Sequence, residues 1–425
     1  MIRILKYSDM DKEAVFDRNY PTDNVTDIVS AIIEDVKKRG DEALFEYTKR
    51  FDKADLKQLQ VSAEEIAEAE ASLEPDFIAV LNEAAENIRA FHSNQVRSGF
   101  ILNNKKGVVC GQKIIPMNTV GVYVPGGTAV YPSTVLMDTI PAKLAGCPNI
   151  VMVTPPGPDG KISPNILAAA KIAGVDKIFK IGGAQAVAAL AFGTESVPRA
   201  DKIVGPGNAF VAEAKRQVFG RVAIDMIAGP SEILIVADGK SNPVFLAADM
   251  LSQAEHDRNA SAVLVTDSEE LAVKVQAELE KQLSQLPREA IARPSIENNG
   301  KIIVAESIEQ AIEISNEIAP EHLEVCVDSP FDYLDMITNA GSVFMGRNCP
   351  EALGDYLAGP NHTLPTGGSA RFSSPLSVDD FIKKTQYTYF TADALDAVAQ
   401  DIALFARKEG LEGHARSAVI RSENR

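Results

Sequence analysis

From about Val108 onward, short β-branched runs that end in Gly or Pro alternate with alanine-rich helical stretches. "VGVYVPGG", "NIVMVTPPG", "KIFKIGGAQAVAALAF" and "DKIVGPGNAFVAEAKRQVF" follow one another in this way, and the pattern resumes through "SEILIVAD", "SAVLVT", "KIIVAES" and "LEVCVD". Strands and helices of these lengths in strict alternation form βαβ units, whose crossover helices cover both faces of a parallel sheet. The fold class expected is α/β, with two Rossmann-like parallel-sheet domains, one inserted in the other. Before the alternation begins the chain reads as helical: "VTDIVSAIIEDVKKRGDEALFEYTKRF" repeats apolar residues every three or four positions, and Ser62 with Glu65 forms a capping box. From Phe372 the pattern turns helical again and predicts a small C-terminal helical tail. The expected divisions are 1–110 with 230–371, an inserted 111–229, and a tail at 372–425.

The charge balance excludes several classes of partner. In 425 residues, 42 Lys and Arg face 59 Asp and Glu, a formal net charge of −17. Nucleic acids and anionic membranes need clustered cations, so neither is an expected partner. A small cationic substrate suits this field, whereas an anionic cofactor needs local help from glycine turns or helix N-termini. The start, "MIRILKYSDMDKE", has no apolar core of a signal peptide, and no apolar run reaches the roughly 18 residues of a membrane span. Cys110, Cys147, Cys326 and Cys349 are far apart without a C-x-x-C, which fits reduced thiols in a cytoplasmic protein.

The chain has only five histidines. In "LSQAEHDRNA" His256 stands three residues after Gln253. Asn242 as N-cap and Pro243 at the first helical position start the helix that carries them. Asp249, Gln253 and His256 fall at i, i+4 and i+7 on one stripe. An imidazole nitrogen and an amide oxygen are ordinary donors to a divalent metal, and they are equally what a solvated polar face presents. "PEALGDYLAGPNHTLPTGG" gathers Asp355 and His362 in a Gly/Pro-rich loop, "EGLEGHARS" holds Glu409, Glu412 and His414, and "IAPEHLEVCV" sets Glu321 beside His322. His92, in "RAFHSNQ", reads as an exposed structural residue. Glu321 and His322 at a helix-to-strand turn can serve as a general acid/base pair, or stand as a solvated turn. The glycine turns are generic to α/β folds; "GPGNAF" has Phe210 where a dinucleotide fingerprint has its third glycine. Cys147 can be read as a nucleophile for aldehyde oxidation, but a small core residue is the stronger reading.

Taken together, "VYVPGG", "GGAQAVAALAFGTESVP", "GPGNAFVAEAKRQV", "AGPSEILIVAD", "LSQAEH", "PEHLE" and "GDYLAGPNHTLPT" resemble the histidinol dehydrogenase family over nearly the whole chain, in order. The resemblance implies two successive NAD-dependent oxidations of L-histidinol to L-histidine through a bound aldehyde, the last step of histidine biosynthesis. It implies a zinc site from Gln253, His256, Asp355 and His414, the last supplied by the other subunit of a homodimer with shared active sites. Glu321 and His322 match the family's acid/base pair. Ser231, His322 and Glu409 match substrate contacts, together with the metal ligands Gln253, His256, Asp355 and His414. Tyr123, Gln185 and Asn208 match contacts to NAD, which places the cofactor on the inserted segment; His362 takes a supporting role. The donor set alone also accepts manganese or cobalt. Two other readings are a metal-dependent hydrolase, which would turn over without NAD, and a non-catalytic two-lobed binding protein, which would carry a secretory signal.

Overall fold

The structure, a computed structural model, describes residues 1–10, 25–126 and 130–423; Gly127 of the "VPGG" turn lies outside them. Met1–Gln95 with Asn118–Phe381 make one compact unit, and Val96–Met117 with Ile382–Arg425 make a second. Among the described residues no helix is long and apolar enough to cross a membrane.

The first unit holds two parallel sheets. One is built from β1 (Arg3–Lys6), β9 (Glu232–Ala237), β10 (Ser261–Thr266), β11 (Lys301–Val304), β12 (His322–Cys326) and β13 (Ser342–Met345), in the order β1-β11-β10-β9-β12-β13. The other is built from β4 (Thr119–Tyr123), β5 (Asn149–Thr154), β6 (Lys177–Lys180), β7 (Lys202–Val204) and β8 (Ala223–Ile224), in the order β6-β5-β4-β7-β8. Every residue of β9 and β12 is buried, as both-face coverage requires. Side-chain alternation divides the packing: Ile233 and Ile235 enter one apolar cluster, Leu234 and Val236 the cluster on the opposite face. The N-terminal helix Thr26–Arg39 contributes Val29, Ile32, Ile33 and Val36 to the core of the second sheet, against Ala188 and Ala191 of helix Gly183–Phe192.

Strands β4–β8 come between β1 and β9 in the chain, so the second sheet is built from one continuous segment. In the second sheet the chain starts at the central strand β4, builds outward to β6, then returns to β7. In the first, β1 takes one edge, and from the inner strand β9 the chain builds through β10 to β11 before returning to β12. The order therefore reverses between β4 and β7, and between β9 and β12. Such points open a ligand crevice beyond the carboxyl ends of the strands. In the second sheet that crevice is open. In the first it is filled by Arg347, which donates to Asp238 and Asp328 at 2.6 Å each and to Ser241 Oγ at 3.1 Å.

Two expectations need correction. The chain beyond Phe372 is not helical throughout: β14 (Ile382–Phe390) precedes helices Ala392–Asp396, Ala399–Lys408 and Glu412–Glu423. In the second unit β14 pairs antiparallel along all of β3 (Val108–Pro116), which also pairs antiparallel with β2 (Phe100–Leu102). His92 is fully buried, not exposed. It closes helix Pro75–His92, and its Nδ1 lies 2.7 Å from Gln95 Oε1, which also accepts from the Val378 amide.

The turn after β7 is held by a buried ion pair. Lys215 and Asp225 are about 2% and 1% exposed; Lys215 Nζ also donates to the Gly205 carbonyl at 2.9 Å, and Gly205 N–H donates to Asp225 Oδ2 at 2.8 Å. Replacing one member of such a pair leaves the other charged and desolvated. We expect Lys215→Met to lower the unfolding free energy by about 3–5 kcal/mol, read as a lower denaturation midpoint; an unchanged midpoint would contradict this role.

Candidate active site

The candidate acid/base pair sits at the amino edge of the first sheet. Helix Ile308–Ile318 ends on Ala319 in a left-handed conformation (φ 51°), and the chain turns through Glu321 into β12, which opens with His322. Because β12 pairs parallel with β9, with His322 opposite Ile233, both side chains meet the peptide groups of Glu232. The Glu232 N–H donates to Glu321 Oε2 at 2.8 Å, and the Glu232 carbonyl lies 2.9 Å from His322 Nδ1. A carbonyl only accepts, so this contact assigns the proton to Nδ1 and leaves the Nε2 lone pair free. That Nε2 is buried and has no hydrogen-bond partner among the described residues, where Glu351 is an acid 3.8 Å away.

Burial is the main reason that the Glu321 carboxyl titrates well above its ordinary range, with the Glu232 charge adding to it and the Glu232 N–H opposing. Burial likewise raises Glu351 to about 7, helped by the Asp355 charge. At Asp355 burial works against ionisation, but the hydrogen bond and charge of His362 outweigh it and hold the carboxyl well below its ordinary range. Burial lowers His256, with Asp355 opposing. His362 Nδ1 is 3.4 Å from Asp355 Oδ1, and its Nε2 is 3.3 Å from Thr134 Oγ1. Asn361 and Thr363 on either side donate to Met137 O and Asp138 Oδ1 of helix Pro132–Leu144, at 2.7 and 2.6 Å.

His256, Glu321, His322, Asp355 and His362 share a cleft of about 1200 Å³ with Ser231 and Gln253. Helix Pro243–Ala254 starts as its sequence predicts: Asn242 Oδ1 accepts from Val244 N–H at 2.9 Å, with Pro243 in the first turn. The helix stops at Ala254, so His256 stands in the turn beyond it, its N–H bonded to the Gln253 carbonyl. Asp355 belongs to a short helix, Glu351–Tyr356, rather than to an irregular loop. Gln253 Oε1 is buried and has no hydrogen-bond donor among the described residues. An orphaned amide oxygen, a half-buried imidazole and an ionised carboxylate in one cleft suit a divalent cation of borderline softness. His322, Glu351 and Asp355 also offer ligand atoms within 4.8 Å of one another. Sequence reasoning missed Glu351. The available signal was its i,i+4 spacing to Asp355, which puts both acids on one helical face.

A second cavity, of about 1280 Å³, lies beyond the carboxyl ends of β4 and β7 and is lined by Tyr123, Gln185 and Asn208. Tyr123 Oη accepts from Gly183 N–H at 3.0 Å, and burial pushes its hydroxyl up to about 12. Asn208 caps helix Ala209–Val218. A Cβ on Gly126 or Gly182 would come within 2.4 or 2.6 Å of Pro155, so the wall closes only around glycine. Pro125, Gly126 and Asn208 line both cavities. No cysteine lines either cavity, and Cys147 is buried in the core. Glu409 and His414 belong to the second unit, where both are exposed.

A family model described as histidinol dehydrogenase matches residues 17–422. A histidinol dehydrogenase of Clostridium acetobutylicum is 51% identical over 99% of both chains, and one of Listeria monocytogenes is 55% identical over 93% of this chain and 92% of its own. The crystal structure of histidinol dehydrogenase from Elizabethkingia anophelis superposes with a TM-score of 0.94 at 42% identity, covering 99% of this chain and 97% of that one. With its parallel sheets, buried Glu321–His322 pair and open crevice, the chain belongs to the histidinol dehydrogenase family.

Proposed function

We propose that the chain oxidises L-histidinol to L-histidine in two NAD-dependent steps through a bound aldehyde, with a divalent metal, zinc in the family reading, in the same cleft. The observation that carries this is the buried base pair in a cleft that joins a nucleotide-sized crevice at Pro125, Gly126 and Asn208. Tyr123, Gln185 and Asn208 line the crevice where a dinucleotide would lie, on the sheet inserted between β1 and β9. Bound NAD supplies the hydride acceptor, and a bound metal supplies a Lewis-acidic anchor for the substrate's imidazole and amine.

The chain's own residues manage the protons. His322 Nε2 takes the alcohol proton as the carbinol C–H leaves as hydride. Glu321, its carboxylate held by the Glu232 N–H, takes a proton from the water that adds to the aldehyde, and the resulting hydrate gives up the second hydride. Ser231 lies along the same cleft to contact substrate. Gln253, His256 and Asp355 would hold the metal, with His362 fixing Asp355. Glu409 and His414 would complete the site from the second copy of a homodimer. The second unit exposes the apolar side chains of Ile101, Tyr389, Leu404 and Phe405, which such a partner would cover. We place this biosynthetic reaction in the cytoplasm.

The two base roles separate experimentally. In single turnover with excess NAD, Glu321→Gln should oxidise histidinol to the aldehyde level and stall there, while His322→Asn should slow the alcohol step as well. Loss of a general base typically lowers a rate roughly 10²–10⁴-fold. Aldehyde oxidation by Glu321→Gln at the parent rate would refute the assignment. The metal reading has its own check. His256→Asn should fold normally yet purify with little metal by elemental analysis, and stoichiometric metal in that variant would remove His256 from the ligand set.

A further inference from the structure

Asp52 lines the cofactor cavity and not the catalytic cleft. It closes the single π-turn Thr48–Asp52, and Lys53 follows with φ 62°, a left-handed conformation that reverses the chain. Its side chain is half-buried and lines the cavity, yet Oδ2 is shielded from solvent and accepts no hydrogen bond from the described residues. Burial alone pushes the carboxyl up to about 6. A desolvated acid without a partner is unfavourable in the free chain, and such a group calls for a ligand that satisfies it.

The neighbours indicate which part of a dinucleotide comes here. Phe51 keeps 47% exposure on the cavity wall and stacks on Tyr47, with ring centroids 5.6 Å apart. An exposed aromatic face backed by a second ring is a platform for a base. Pro125, Gly126 and Asn208, shared with the catalytic cleft, mark the end where hydride moves; Asp52, Phe51 and Arg50 line only the other cavity. In dinucleotide sites an acid beside the adenosine accepts from the ribose hydroxyls and excludes a 2′-phosphate. We propose that Asp52 is this selectivity residue: it accepts hydrogen bonds from the adenosine ribose and rejects NADP. The proposal rests on the NAD reading above. Arg50, whose guanidinium carbon is 5.2 Å from the Phe51 ring centroid, lines the same cavity and offers a cation to a 2′-phosphate once Asp52 is neutralised.

The test is titration calorimetry of the full chain and Asp52→Asn with NAD and with NADP, with Asp52→Ser as a second variant. The parent should bind NAD at least tenfold more tightly than NADP. Asp52→Asn should bind NAD about tenfold more weakly, as loss of a charged hydrogen bond implies, and should gain affinity for NADP. An unchanged ratio in both variants overturns the assignment while leaving the NAD reading intact. If the parent binds neither nucleotide, the cofactor reading itself falls, and the assignment with it. Stability gives a second readout. A carboxyl raised from 3.8 to about 6 loses stability as pH rises through 6, so Asp52→Asn should melt higher than the parent at pH 8 and equally near pH 3. A lower melting temperature at pH 8 would make Asp52 a structural residue and overturn the proposal.

Discussion

The peptide groups of Glu232 are the constraint on which the rest of the site depends. Its N–H holds Glu321 and its carbonyl fixes the tautomer of His322, so one residue of β9 positions both members of the proposed base pair. Neither contact uses a mobile side chain as the anchor. The peptide is placed by parallel pairing between two fully buried strands, and its position is as rigid as the sheet. Such preorganisation spares reorganisation during the reaction, because the acceptors and lone pairs already face the cleft.

That constraint explains why the candidate acid/base residues lie at the amino edge of their sheet, against the usual rule for α/β folds. At the carboxyl edge the crevice is closed by Arg347 and its two carboxylates. The second sheet obeys the rule and offers its carboxyl-edge crevice. The two cavities meet because the turns after β4 and β7 contribute Pro125, Gly126 and Asn208 to both. The buried Lys215–Asp225 pair holds the second of those turns.

Much of this was legible in the sequence. The alternation of β-branched and alanine-rich segments corresponds to the two parallel sheets, and the caps at Ser62 and Asn242 lie where their side chains predicted. Tyr123, Gln185 and Asn208 come together in one cavity, and Gln253, His256, Glu321, His322 and Asp355 in the other. What escaped has physical causes. Eight of the nine residues of β14 are exposed, so no buried alternation marked it, and backbone pairing with β3 decides its conformation. Glu351 lay in a stretch that reads as a Gly/Pro-rich loop, so its helical spacing to Asp355 carried no weight, and tertiary packing brings it to His322. His92 looked exposed because its polar neighbours hid the burial imposed by the end of its helix.

The central claim is that one buried base pair serves two successive hydride transfers in a single cleft. Counting NADH formed per histidinol consumed, with metal and NAD in excess, tests it most directly. The account predicts two NADH for each histidinol and histidine as the product. Histidinol consumed without NADH, or one NADH with aldehyde accumulating in solution, would contradict it.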